Sequence, residues 1–131
     1  MDDETWRALL TTARRALGRG YSQSWASESW CAWTTFSSLE HTLTYWASGL
    51  PDEDELLATG TADGGTWTQP FSYSDLAHLV IPARFYWETN TLGTGFRNGY
   101  KSQEIAKLSK EFSRLEIPHR LSERVLEIKL Y

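Results

Sequence analysis

A chain of 131 residues is long enough for one domain with a continuous core and too short for two ordinary ones. Hydrophobic residues make up 40% and charged residues 23%, a globular balance with a net charge of −4, and no stretch approaches the ~20 apolar residues of a membrane span. The single cysteine, Cys31, excludes an internal disulfide and a cysteine-built metal site; with an acidic start, MDDETWRALL, unlike a secretory signal, a reducing cytoplasm is the expected compartment.

In chain order, Asp3 can cap a first helix in which Trp6, Leu9, Leu10, Ala13 and Leu17 recur at helical spacing, with Gly18 and Gly20 as stop signals. SWASESWCAWTTF follows, carrying Trp25, Trp30 and Trp33. On a strand Trp30, Ala32, Thr34 and Phe36 share one face and Cys31, Trp33 and Thr35 the other, a pattern suited to a central strand covered on both sides. FSSLEHTLTYWASGLP reads as a helix, with Ser37 and Glu40 as a capping box, Leu39, Leu43 and Trp46 on one face, and Gly49 and Pro51 ending it.

PDEDELLATG offers Asp52 as an N-cap with Glu53, Asp54 and Glu55 in a first turn, where the helix dipole favours negative charge, and Gly60 as the stop after about two turns. TADGGTWTQP reads as a loop leading into a short edge strand near Trp67. FSYSDLAHLVIP can hold a short helix from Ser74 that ends before Pro82. ARFYWE, residues 83–88, is strand-like, and TNTLGTGFRNGY reads as a long turn. A helix is predicted over 102–115, with Ile105, Leu108, Phe112 and Leu115 as one stripe. The terminal RVLEIKLY alternates as a half-buried strand. The expected class is α+β: one domain, residues 1–131, with a mixed sheet of three to five strands packed by amphipathic helices, and a right-handed crossover if strands 83–88 and 124–131 are parallel neighbours.

Specific catalytic spacings are absent, and the glycines of LGTGFRNG lack the full dinucleotide pattern. His41, His78 and His119 fall on different predicted elements, so a metal site or an acid–base centre requires the fold to gather them, and none is expected. Cys31 has no lysine or arginine near it in sequence and reads as a buried structural thiol; no cofactor is implied.

Charge is unevenly placed. Between Arg19 and Arg84 there is no lysine or arginine, while Glu28, Glu40, Asp52, Glu53, Asp54, Glu55, Asp63 and Asp75 all fall in that span. Nucleic acid is an unsuitable partner for such a segment, because phosphate binding needs clustered cations. Carboxylates beside surplus aromatic surface instead suit a protein-binding face, in which long-range attraction speeds encounter and aromatic anchors hold the complex. Trp25, Trp46 and Trp67, next to glycine and serine loops, are the tryptophans expected to be partly exposed.

The acidic, aromatic segment YWASGLPDEDEL and the helix-then-strand ending QEIAKLSKEFSRLEIPHRLSERVLEIKLY resemble the small acidic bacterial immunity proteins of polymorphic and contact-dependent toxin systems. The resemblance implies a non-catalytic cytosolic domain that neutralises a cognate toxin with a basic surface by covering its active site or an essential surface. Glu28, Asp52, Glu53, Asp54, Glu55 and Asp63 would then supply the charge, and Trp46 and Trp67 the apolar anchors. Two other classes stay open. The tryptophans of SWASESWCAWTTF could line a pocket for a flat ligand or a small cation, and a small enzyme would need a cleft that brings His78 or His119 to a carboxylate.

Overall fold

In the computed structural model, which describes Met1–Tyr131, the first helix α1 spans Asp3–Leu17. Asp2 rather than Asp3 is its N-cap: the Asp2 carboxylate accepts from the Thr5 amide at 2.8 Å, which places Asp3 and Glu4 in the first turn beside the positive end of the dipole. Trp6, Leu9, Leu10 and Ala13 are fully buried, and Gly18, at φ 103°, closes the helix through its amide to Arg14.

The remaining elements are β1 (Cys31–Thr35), α2 (Phe36–His41), β2 (Trp46–Ser48), β3 (Leu76–Pro82), β4 (Arg84–Thr91), β5 (Gly95–Ser102), α3 (Ile105–Arg114), β6 (Arg120–Leu121) and β7 (Val125–Lys129). The fold is α+β. Five strands form one sheet in the order β2-β1-β3-β7-β6, and β4 and β5 form a separate two-stranded ribbon. Every pairing is antiparallel, so the sheet is not mixed, and β7 pairs with β3 instead of continuing a crossover from β4.

One register row of the sheet runs Trp46, Trp33, Leu79, Ile128, and this face joins α1 and α3 in a single core with Trp6, Leu9, Leu108 and Phe112. The opposite face carries Ala32, Val80 and Glu127 in one row and Thr34, His78 and Lys129 in the next. Helices α1 and α3 therefore pack on the first of these faces.

Several segments depart from their sequence reading. The helix expected over FSSLEHTLTYW stops at His41, because Thr35 caps it by accepting from the Ser38 amide and the Ser38 hydroxyl then binds the Thr44 amide and carbonyl at 2.8 and 3.0 Å. Those bonds turn the chain back, leaving Leu43 exposed at φ 47° and Trp46 in strand β2 beside β1. The helix expected from Ser74 is a single 3₁₀ turn, Tyr73–Asp75, followed by β3. Ala77, Leu79 and Ile81 point into the core while His78 and Val80 face out, a period of two that flanking pairing on both sides enforces. Lastly, the long glycine turn is confined to Leu92–Thr94; Thr89–Thr91 end β4, and the residues from Gly95 onward are β5.

Other expectations hold in outline. Helix α3 is shorter than 102–115 but buries Ile105, Leu108 and Phe112, with Leu115 half out of the core. Strand β7 buries Leu126 and Ile128. By contrast, the acidic helix expected to run about two turns to Gly60 does not form: Asp52 and Glu55 make the capping box, but the chain leaves it after one 3₁₀ turn, Glu53–Glu55, with Leu56 already extended. No helix is long and apolar enough to cross a membrane.

Candidate protein-binding surface

The acidic run folds back onto the arginines of α1. Arg14 Nε donates to Asp52 Oδ1 at 2.8 Å, Arg19 Nε lies 4.0 Å from Asp52 Oδ2, and Arg15 grips both oxygens of Glu53. The Arg15 hydrogen bond holds the Glu53 carboxyl below its ordinary range. Glu55 is occupied differently: its carboxylate accepts from the Asp52 amide at 2.9 Å, the Thr66 amide at 2.6 Å and the Thr66 hydroxyl at 3.0 Å, tying the 52–55 turn to the 61–70 loop. Glu28 accepts from the Arg19 amide at 3.0 Å. Glu28, Asp54 and Asp63 are the expected partner contacts that are exposed without an ion pair. A segment free of cations in sequence is thus supplied with three in space.

The expected anchors move in the same direction. Trp67 is 3% exposed; its ring stacks on Trp33 with centroids 3.9 Å apart, and its Nε1 donates to the Gly49 carbonyl. Trp67 is therefore interior, neither in an edge strand nor free to anchor a partner. Trp46 is half-buried against Phe71. The tryptophans of SWASESWCAWTTF diverge: Trp33 faces the core, Trp30 stacks on Phe85 at 5.6 Å, and Trp25 stands 50% exposed, so the three do not line one cage. Cys31 is buried, and burial pushes its thiol up, away from reactivity.

Exposed aromatic surface is concentrated instead on the β4–β5 ribbon. Its inner face holds Phe85, Trp87 and Lys101 against the body; Lys101 Nζ donates to the carbonyls of Trp25 (3.0 Å) and Ser27 (2.8 Å) and lies over the Phe85 and Trp87 rings. Gly99 leaves room for the Trp87 indole, whose Nε1 would stand 3.0 Å from any Cβ there. At the base, buried Gln103 pairs with both backbone groups of Trp30 (2.9 and 3.0 Å) and with the Pro82 carbonyl (2.9 Å), fastening the ribbon to the sheet.

The outer face is free. Tyr86 and Tyr100 meet edge to face at 5.6 Å, the Arg84 guanidinium lies 4.5 Å over the Tyr100 ring, and Phe96 stands opposite Asn90. Tyr86 is 42% exposed, Phe96 58%, Tyr100 62%, and Leu92 at the tip is fully exposed. A cleft of about 550 Å³ separates the distal half of the ribbon from the 23–25 loop, with Trp25 and Phe96 as its apolar walls. Eight paired residues at ~3.3 Å each make an arm roughly 26 Å long. Phe96 and Tyr100 lie in TNTLGTGFRNGY, whose glycines read as a turn, while Tyr86 lies in ARFYWE, which reads as a strand without its partner. The signal available was two aromatic runs, FYW and FRNGY, placed symmetrically about a turn.

A second cluster occupies the open face of the sheet. His78 Nε2 lies 2.8 Å from Glu127 Oε2, and Arg120 donates to the other Glu127 oxygen at 3.2 Å. With Glu127 ionised, His78 Nε2 is the donor to it; His78 Nδ1 lies 2.7 Å from the Tyr45 hydroxyl, which in turn meets Tyr131 at 3.0 Å. The His78 hydrogen bond, with Arg120 behind it, lowers the Glu127 carboxyl, while burial pushes the Tyr45 phenol up to about 12. His119 is separate: its Nε2 meets Ser109 at 2.7 Å and its Nδ1 meets the Ile117 carbonyl at 2.8 Å.

Comparison with family models, with curated proteins and with solved structures gives no match.

Proposed function

We propose that the chain is a non-catalytic protein-binding domain of the immunity type, which neutralises a cognate toxin domain by covering its active site or an essential surface, with the β4–β5 arm as its recognition element. The observation that supports this reading is the row Tyr86, Tyr100 and Phe96, more than two-fifths exposed on an arm whose distal half packs on nothing but itself and borders the Trp25 loop. Large rings held in water at fixed rotamers on a hydrogen-bonded ribbon lose little entropy when a partner covers them, which is the profile of interface hot spots. Co-expression with the C-terminal domain of a large toxin-like protein encoded immediately upstream tests it. The wild-type chain co-purifies with that domain and restores growth, and the Tyr86→Ala/Phe96→Ala/Tyr100→Ala variant does neither, each ring contributing about 2 kcal/mol or more at a hot spot. Full protection by the triple variant would refute the reading.

A second reading, a small acid–base enzyme, is favoured by the gathering of His78, Glu127 and Tyr45. Under it, His78→Gln abolishes the biological effect while the arm variant retains it.

A further inference from the structure

Resting on the reading of the arm as the recognition element, we infer that what the arm recognises is an extended segment of the partner, which adds as a further strand along the free edge of β4. The Gln103 amide donates to the Ala83 carbonyl at 2.7 Å, and the ladder keeps that register without a break from the Arg84 and Ser102 pair to the Thr91 and Gly95 pair. Directly bonded pairs alternate with unbonded ones in an antiparallel ladder, so Phe85, Trp87 and Thr89 turn their amides and carbonyls toward β5, and Tyr86, Glu88 and Asn90 turn theirs away. No hydrogen bond within the molecule reaches these outward groups, because β4 has no neighbour but β5.

Such an edge invites another backbone. Natural edges are blunted by proline, lysine or a bulge, and RFYWETNT has none of them. The matching edge of β5 is unpaired too, but it is the edge of β4 that has a second wall. Glu88, Thr89 and Asn90 line the cleft of about 550 Å³ in succession, with the 23–25 loop across from them and Phe96 beside them. A strand face offers every second residue and a strand edge offers all of them, so the cleft runs along the edge. A second copy would bring its own 23–25 loop to the same edge, which leaves a free extended segment as the occupant. Its alternate side chains fall beside Trp25 and Phe96, the apolar walls, and the complement to those walls is apolar. Charge does not select the segment: on the outer face Arg84 is balanced by Glu88, and Lys101 is held by the Trp25 and Ser27 carbonyls.

Selection of a random peptide library on the immobilised full chain tests this, with Asn90→Pro, Asn90→Ala and Tyr86→Ala/Phe96→Ala/Tyr100→Ala run in parallel and the fold of each checked by circular dichroism. Proline at 90 removes an amide that β5 does not use, and an edge strand tolerates it there. The expected peptides carry apolar residues at every second position and bind Asn90→Pro at least about ten-fold more weakly than Asn90→Ala, through the lost main-chain bond. The strongest of them, resynthesised with one N-methyl group at each position in turn, loses binding at alternate positions only, a readout that needs no variant to fold. Equal binding to Asn90→Pro and Asn90→Ala, N-methyl sensitivity without a period of two, or no enrichment at all would overturn strand addition; the arm stays the recognition element if the triple variant still fails to protect against the co-expressed toxin domain. Peptides indifferent to both Asn90→Pro and the triple variant would overturn both readings. A wild-type dimer in sedimentation that Asn90→Pro dissociates would overturn the inference in favour of self-pairing through β4.

Discussion

Glu55 shows how far a side chain's role can lie from its composition. In sequence it is one of four consecutive carboxylates; in the fold it is the sole acceptor joining the Asp52 amide, the Thr66 amide and the Thr66 hydroxyl. Truncating it leaves part-buried donors unpaired, so Glu55→Ala is expected to cost about 1–3 kcal/mol in urea unfolding, whereas Asp54→Ala, one residue away and exposed, stays within about 0.5 kcal/mol. Equal effects would show that Glu55 has no special role. Glu127 yields a prediction in pH. Its carboxyl lies below the ordinary value of 4.5 because of His78, so it adds stability that is full above that value and is lost as pH falls through the lower, folded value. Glu127→Gln should flatten the acid limb of the stability curve, and should cost about 1–3 kcal/mol at neutral pH through the lost charge-assisted bonds. An unchanged acid limb would contradict this. Neither role was legible beforehand, since each depends on a partner distant in the chain: Thr66 for Glu55, His78 for Glu127. Trp67 was misread for the same reason, because glycine and threonine neighbours suggest exposure while its stacking on Trp33 spans more than thirty residues.

At the scale of elements, legibility followed the strength of local periodicity. Helices α1 and α3 and strand β7 carry unbroken apolar stripes, and each was recognisable with shifted ends. Strand β3 was mistaken for a helix because apolar residues crowd LAHLVIP on both faces, and only pairing with β1 and β7 decides the period. The end of α2 is set by the Ser38 and Thr34 hydroxyls on Thr44, local bonds that compete with the helix and that apolar spacing does not report. The arm is the element least legible in sequence, since glycines that serve a turn at Gly93 and Gly95 and a packing site at Gly99 look alike there. Its two faces should behave differently. Phe85→Ala, on the buried side against Trp30, is expected to cost about 3–5 kcal/mol, and Tyr100→Ala, on the outer side, less than about 1 kcal/mol. Comparable losses in urea unfolding would mean that the outer rings serve the fold and not a partner.

For the molecule as a whole, the arrangement is a negative body, internally neutralised where its carboxylates crowd, and an aromatic arm projecting from it. The α+β class could be read from the chain, but the pairing of the acidic turn with α1 could not, because α1 and the 52–55 turn are far apart in sequence. Hydrogen–deuterium exchange of the chain in complex with the co-purified partner tests the central claim most directly. New protection confined to residues 84–102 and the 23–25 loop is predicted; protection at 52–55 and on the His78 face, with the arm exchanging as in the free chain, would contradict it.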